Sequence, residues 1–300
     1  MENQSQIKIT VATVTWNAAA VLQRTLDSVA EQDYPCVQHV VVDGCSSDQT
    51  LTLLRQYQER ESTELEERHE IKVLSESDKG LYDAMNKAIN MADGDYILFL
   101  NAGDKFHERD TLSKIADKIS SSNFQISMPQ ASRRLSLAIG KADATIQRKS
   151  ESEAANLPAV IYGDTDIVDD EGRFLRKRHL RPPRQLTWQS FKDGMLVCHQ
   201  AFFARTDIAR ENLYNLRYRF SADYDWCIRV MKQGHALGLP MVNADIVVAD
   251  YLDGGMTVKN HRRSLMERLR IMAAHYGWLT ALAKHAGFVF RAIRRKFFAT

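Results

Sequence analysis

Over its first 120 residues this chain alternates β-branched runs with helical ones, and that rhythm limits the fold more than any other feature. IKITVATVT (Ile7 to Thr15) is rich in Val, Ile and Thr and bounded by polar residues, which predicts a strand. Leu22, Leu26 and Val29 follow at i, i+4 and i+7, predicting a helix that ends before Asp33-Tyr34-Pro35. Further strands are expected at Gln38–Val42, Ile71–Leu74 and Tyr96–Leu100. Between them run helices marked by Leu51, Leu54 and Tyr57, with Ser46, Ser47 and Asp48 as N-caps, and by Leu81, Met85, Ala88, Ile89 and Ala92, with Gly94 as the C-cap. The charge run Glu59–Glu70 reads as a solvated helix end and loop, and Leu112, Ile115, Ala116 and Ile119 mark a fourth helix. Such alternation means βαβ units and an α/β fold with a mostly parallel sheet.

Beyond residue 120 the rhythm breaks. Residues 121–157 carry Ser, Ala, Gln and basic residues without a sustained period, so a flexible insertion is expected, with a short helix around Arg134–Ala142. AVIYGDTDIV, the turn DDEG and RFLRKRHL then predict a hairpin, Ala201–Ala204 a strand and Asp223–Lys232 a helix. From Lys259 to Thr300 there are ten basic residues and one acid, Glu267, although the whole chain has a formal charge of only +2. That asymmetry points to a basic amphipathic helical tail (259–300) that meets an anionic membrane surface. The rest of the chain carries no nucleic-acid signature. Four dispersed cysteines form no CxxC pair, which argues against a zinc site or a disulfide framework. A polar amino terminus and the lack of a long apolar stretch predict a cytoplasmic protein, peripheral at the membrane.

Three acidic places carry the chemistry. YILFLNAGD delivers Asp104 at the end of a buried strand, where ligands of open α/β sheets bind. A carboxylate there can hold Mg²⁺ or Mn²⁺ together with substrate phosphates, or it can be an ordinary turn acid. HVVVDG ends in Asp43, placed to accept hydrogen bonds from a base or ribose or to shape a turn. SADYDW sets Asp223 and Asp225 two residues apart, so on a helix they face different ways and cannot share one task. One of them in a cleft could take a proton from an attacking hydroxyl; both could equally be acids of a helix start. Cys198 and His199 would lie on opposite faces of a strand, which argues against a thiol-nucleophile pair.

TVTWNA, VVDGCSSDQTL, SESDKGLYDAMNKAINMADGDYILFLNAGD, VIYGD, CHQAFF, SADYDWCIR and YLDGGMT occur in an order that resembles family 2 inverting glycosyltransferases. The resemblance spans about residues 7–120 and 158–258 and is closest to the branch that builds bacterial capsule and exopolysaccharide units, colanic-acid type enzymes included. It implies a GT-A fold in one catalytic domain, residues 1–258, that binds a nucleotide diphosphate sugar with a divalent metal. By position, Thr13, Thr15, Trp16, Asn17 and Asp43 would line base and ribose, and Asp78, Lys79, Gly80 and Asn101 the rest of the nucleotide-sugar pocket. Asp104 would reach the metal, Asp223 would be the catalytic base, and His199 and Gln200 would form the acceptor-side wall.

The pattern departs from the family at two points: Gly103 replaces an acid where many relatives read NSDD, and Ala222 replaces the Glu of the usual ED pair. The expectation is an enzyme of polysaccharide biosynthesis that transfers a sugar to a hydroxyl of a lipid-linked saccharide. The lost acid at Gly103 leaves one alternative, a non-catalytic sugar-nucleotide-binding scaffold of a polysaccharide assembly complex. An NAD-binding enzyme is excluded because no GxGxxG follows the first strand.

Overall fold

The computed structural model describes residues 6–63, 69–121, 157–254 and 261–287. The expected insertion, apart from its two end residues, lies outside them, as does the tail beyond residue 287. Strands β1 (Ile9–Thr15), β2 (Val37–Asp43), β3 (His69–Ser75) and β4 (Tyr96–Phe99) pair in parallel in the order β3-β2-β1-β4. Helices α1 (Ala19–Ala30), α2 (Thr50–Thr63) and α3 (Leu81–Met91) supply the crossovers. β1 and β2 are buried throughout, as parallel strands covered on both faces must be.

The second half of the sheet is mixed. After the two-residue β5 (Lys105–Phe106) and α4 (Thr111–Ser121) come β6 (Val160–Val168), β7 (Phe174–Lys177), β8 (Phe202–Arg205) and β9 (Met241–Leu252). The sheet continues β4-β8-β6-β9-β5, with β8 antiparallel to both neighbours, β9 parallel to β6, and β7 hairpinned onto β6. β9, the longest strand, is absent from the sequence reading. Its pairing with β6 shifts register, and Asp245 takes a positive φ of 59° within it, so no clean alternation marks it. Helices α5 (Thr206–Glu211), α6 (Ala222–Ala236) and α7 (His261–Tyr276) complete the fold, with a further helical run over 278–287.

Several local expectations change. α3 ends at Met91 with an extended cap at Ala92, so Gly94 is not the C-cap. A Cβ on Gly94 would lie 2.7 Å from the Thr10 amide nitrogen and 2.8 Å from the Lys8 carbonyl oxygen, so glycine is there for close backbone approach. The run Glu59–Glu70 contributes the end of α2 and the start of β3. The strand expected at Ala201 begins at Phe202, after a 3₁₀ turn over His199–Ala201. α7 and the helical run after it do not stand off the body: Ile271 and Met272 of α7 and Ala281 of that run belong to the main core with Trp226, Tyr224 and Phe191, and Leu269 and Tyr276 pack against it.

Candidate active site

Parallel pairing aligns Thr15, Asp43 and Ser75 in one row at the carboxyl ends of β1, β2 and β3. This is the edge where an open α/β sheet binds ligands. Asp43 is fully buried; its Oδ2 accepts from the Ser46 amide (2.9 Å) and the Ser75 hydroxyl (2.8 Å), and its Oδ1 from the Ser46 hydroxyl (2.5 Å). Its carboxylate therefore shapes the loop and presents no exposed surface. Asn17, at φ 48°, ties that loop to the one after β1: its amide donates to Ser46 Oγ and its Oδ1 accepts from the Ser47 amide, both at 2.8 Å.

Trp16 stands out of this rim, 67% exposed. Asp78 closes the other side, its Oδ1 accepting from the Gly80 amide at 2.7 Å. A Cβ on Gly44 would come within 2.5 Å of Asp78 Oδ2, so a larger residue there would have to push the Asp78 side chain aside. Lys79 is exposed, and its amide donates to Asp83 ahead of α3. Thr13 lies beneath the rim: its hydroxyl donates to the Leu100 carbonyl (2.8 Å) and meets His39 Nε2 at 3.0 Å, leaving no surface for a ligand. Burial lowers the His39 pKa to about 3, so this ring is a neutral core group.

The other half of the site forms where the turn after β4, the 3₁₀ turn before β8 and the start of α6 converge. Asn101 Nδ2 lies 3.0 Å from His199 Nε2, and His199 Nδ1 lies 3.5 Å from Asp223 Oδ2. The Tyr82 hydroxyl donates to the other oxygen, Asp223 Oδ1, at 3.2 Å. A continuous chain thus runs Asn101–His199–Asp223–Tyr82, joining elements distant in sequence. Burial pushes the Asp223 carboxyl up, but the His199 ring, and then the charge of Arg268, outweigh it and hold it below the usual carboxylate range. Asp223 is therefore ionised at neutral pH and able to accept a proton.

Asp225, two residues on, does something else. Its side chain is 7% exposed; Arg229 Nε donates to Oδ2 at 2.7 Å, and His275 Nε2 meets Oδ1 at 2.8 Å. It links α6 to α7 and stays out of the cleft. Tyr82 and Arg268 escape sequence reasoning. Tyr82 sits inside DKGLYDAMNKA, yet its partner is 141 residues away, and Arg268 reads as one of many tail charges.

Asp104 is 4% exposed, with Oδ2 accepting from Gln200 Nε2 at 2.8 Å and Oδ1 from the Leu252 amide at 3.1 Å. Burial, set against those neutral donors, pushes its pKa up to about 6. Gln200 is itself buried and backs Asp104, so it offers no wall to an acceptor. Among the described residues no group of three or more His, Cys, Asp or Glu is placed to hold a metal. The oxygens present still fit a hard cation in part. A carboxylate has lone pairs beyond the two bonds seen, and Asn101 Oδ1 is buried without a hydrogen-bond partner. Substrate phosphate and water would have to supply the remaining ligands, as is usual for Mg²⁺.

Comparison with known proteins assigns the family. Residues 10–136 match the sequence profile described as Glycosyl transferase family 2. A PGL/p-HBAD biosynthesis glycosyltransferase of Mycobacterium bovis is 30% identical over 257 residues, covering 85% of this chain and 81% of that protein. The chain is a family 2 glycosyltransferase. An amylovoran biosynthesis glycosyltransferase, AmsB of Erwinia amylovora, is 27% identical over 80% of this glycosyltransferase and 70% of its own length. Among solved structures, S. aureus TarS in complex with UDP superposes with a TM-score of 0.58 at 16% identity, over 97% of this chain and 72% of that one. The mannosyltransferase PcManGT of Pyrobaculum calidifontis, solved with GDP-Man and Mn²⁺, gives 0.54 at 15% identity, over 98% and 82%. The glycosyltransferase thus has a GT-A type fold, and its relatives favour the enzyme over a scaffold.

Proposed function

We propose that this enzyme of polysaccharide biosynthesis inverts the sugar it transfers, from a nucleotide diphosphate sugar to a hydroxyl of a lipid-linked saccharide. The observation that carries the reading is the ionised Asp223, held by Tyr82 and His199 where distant elements meet. In this reading Asp223 takes the proton from the acceptor hydroxyl as its oxygen attacks the anomeric carbon and the bond to the diphosphate breaks. His199 and Tyr82 fix the carboxylate, and His199 also reaches Asn101 on the donor side. Trp16, Asn17, Asp78 and Gly80 form the rim that would receive the nucleotide. A divalent ion held by Asp104, with Asn101 Oδ1 beside it, would neutralise charge on the leaving diphosphate. The structures of TarS with UDP-GlcNAc and PcManGT with GDP-Man support a nucleotide-sugar donor for proteins of this fold.

The enzyme would work at an anionic membrane surface. No helix among the described residues is long and apolar enough to cross a bilayer. Trp278, Leu279 and Leu282 are 60%, 88% and 53% exposed on the last described helical run, which follows α7 with its exposed Arg262, Arg263 and Arg270. Basic groups near such a surface contribute about 1 kcal/mol each. Vesicle flotation should recover more protein with acidic lipid; equal recovery on neutral vesicles and in high salt would refute electrostatic docking.

The donor is tested by melting the protein against UDP, GDP, TDP and CMP, with and without Mn²⁺. One nucleotide at 100 times its Kd should add about 2.7 kcal/mol of stability. No stabilisation by any of them would overturn the proposed donor class.

A further inference from the structure

Arg268 is a half-buried cation whose charge acts on Asp223 but which makes no direct ion pair with an acid among the described residues. Its Nε is buried and lacks a hydrogen-bond partner, and no hydrogen bond or ion pair from those residues reaches its guanidinium. Its place on α7 shows where it points. Ser264, four residues earlier, packs its hydroxyl 2.8 Å from that of Ser221, and His275, seven residues later, bonds Asp225. Residues at these spacings share a helix face, so Arg268 faces the 221–225 turn that carries Asp223. Its charge acts on Asp223, Tyr82 and Tyr224.

The neighbouring acids are already engaged. Asp223 has one oxygen on Tyr82 and the other beside His199, and Glu267 accepts from the Arg219 and Phe220 amides at 2.9 and 2.8 Å. A guanidinium nitrogen buried without a hydrogen-bond partner is costly. An anion with several oxygens in reach of the guanidinium fork would satisfy it, and phosphate groups suit that geometry.

We infer that Arg268 receives the diphosphate of a bound substrate beside Asp223, a role that rests on the functional reading above. That diphosphate belongs either to the nucleotide donor or to a lipid-diphosphate acceptor. In both cases the C-terminal helix contributes to the substrate site.

Calorimetric titration of inorganic pyrophosphate into the full chain tests it, comparing wild type with Arg268→Gln, Arg268→Lys and Arg263→Gln. The Arg263 side chain is exposed on the same helix and controls for general charge. Arg268→Gln should weaken pyrophosphate binding about ten- to hundred-fold, the size of a lost charge-assisted contact. Arg268→Lys should recover part of the loss, and Arg263→Gln should leave pyrophosphate affinity unchanged. Parallel titrations with UDP or GDP and with farnesyl diphosphate separate the sources: weakening of the nucleotide alone assigns the donor, weakening of the prenyl compound alone the acceptor. Unchanged pyrophosphate affinity in folded Arg268→Gln, or an equal loss in Arg263→Gln, overturns the inference. If wild type binds a nucleoside diphosphate and the Arg268 variants match it with every probe, the inference falls and the proposed function stands. If wild type binds none of the probes, both fall.

Discussion

Asp223 and Asp225 lie two residues apart in the first turn of α6, yet their exchange for asparagine should separate catalysis from stability. Asp223→Asn keeps the shape and the contacts with Tyr82 and His199 but removes the proton acceptor. kcat should fall by about 10² to 10⁴, equivalent to about 3–5 kcal/mol of barrier, with donor affinity retained. Asp225→Asn takes the charge from a link between Arg229 and His275 whose side chains are 25% and 13% exposed. Removing one partner of a buried pair costs about 3–5 kcal/mol. Arg229 also donates to the Leu213 carbonyl at 2.8 Å, and asparagine retains one acceptor, so about 2–3 kcal/mol is expected here. For a chain of this size that is a Tm lower by about 3–5 °C, with kcat near wild type.

The pH dependence supplies a second readout. Burial raises the Asp225 pKa, but His275 and Arg229 more than compensate, and the folded-state value lies below the usual one. A depressed carboxyl contributes stability above its unfolded pKa of about 3.9 and loses it as pH falls through the folded value. Asp225→Asn should therefore destabilise at pH 7 and narrow its gap to wild type below about pH 4. Single-turnover assays and thermal melts on the two variants decide the matter. A larger kcat loss in folded Asp225→Asn than in Asp223→Asn would refute the assignment, and an unchanged Tm in Asp225→Asn would refute the link to α7.

Tyr82→Phe should keep the fold, because the ring stacks on Tyr214 with centroids 5.4 Å apart, and should lower kcat several-fold while the acid limb of kcat/KM moves to higher pH. An unmoved limb would mean that the hydroxyl does not serve Asp223. Asp104, pushed up to about 6, binds its proton more tightly folded than unfolded, so the ion-free protein should lose on the order of 3 kcal/mol of stability as pH rises from about 4 to 6. Asp104→Asn should abolish that slope in denaturant titrations and also abolish metal-dependent nucleotide binding; a slope that persists would contradict its burial as an ionisable group. Gly163→Ala should cost about 1–3 kcal/mol in urea melts, since the new Cβ would lie 2.6 Å from the Ile246 carbonyl oxygen, where β6 and β9 shift register. A neutral result would show that the bulge can open.

Much of the first half is legible in the sequence because its information is local. β1 to β4 and the helices between them announce themselves through period and β-branching, and the strand-end acids follow from topology. What the side chains do is less legible. Asp43 looks like a ligand contact in sequence, but Ser46 and Ser75 consume its carboxylate, and Ser75 arrives from a neighbouring strand. Asp225 looks like a helix-start acid because its partner His275 is 50 residues away. β9 escapes because a clean alternation is absent where a strand pairs in parallel across register shifts. The burial of Gln200 behind Asp104 likewise depends on a contact across 96 residues.

The union of α7 with the body bears on how such enzymes can be cut and recombined. A polypeptide stopped at residue 258, where the recognisable motifs end, would strip Ile271, Met272 and Ala281 from the core and leave Asp225 without His275. Such a fragment should misassemble even though every motif is present. Exchange of carboxyl-terminal segments between relatives meets the same barrier, because the incoming helix must match the 221–225 turn. In this chain the last recognisable motif and the end of the folded core fall in different places.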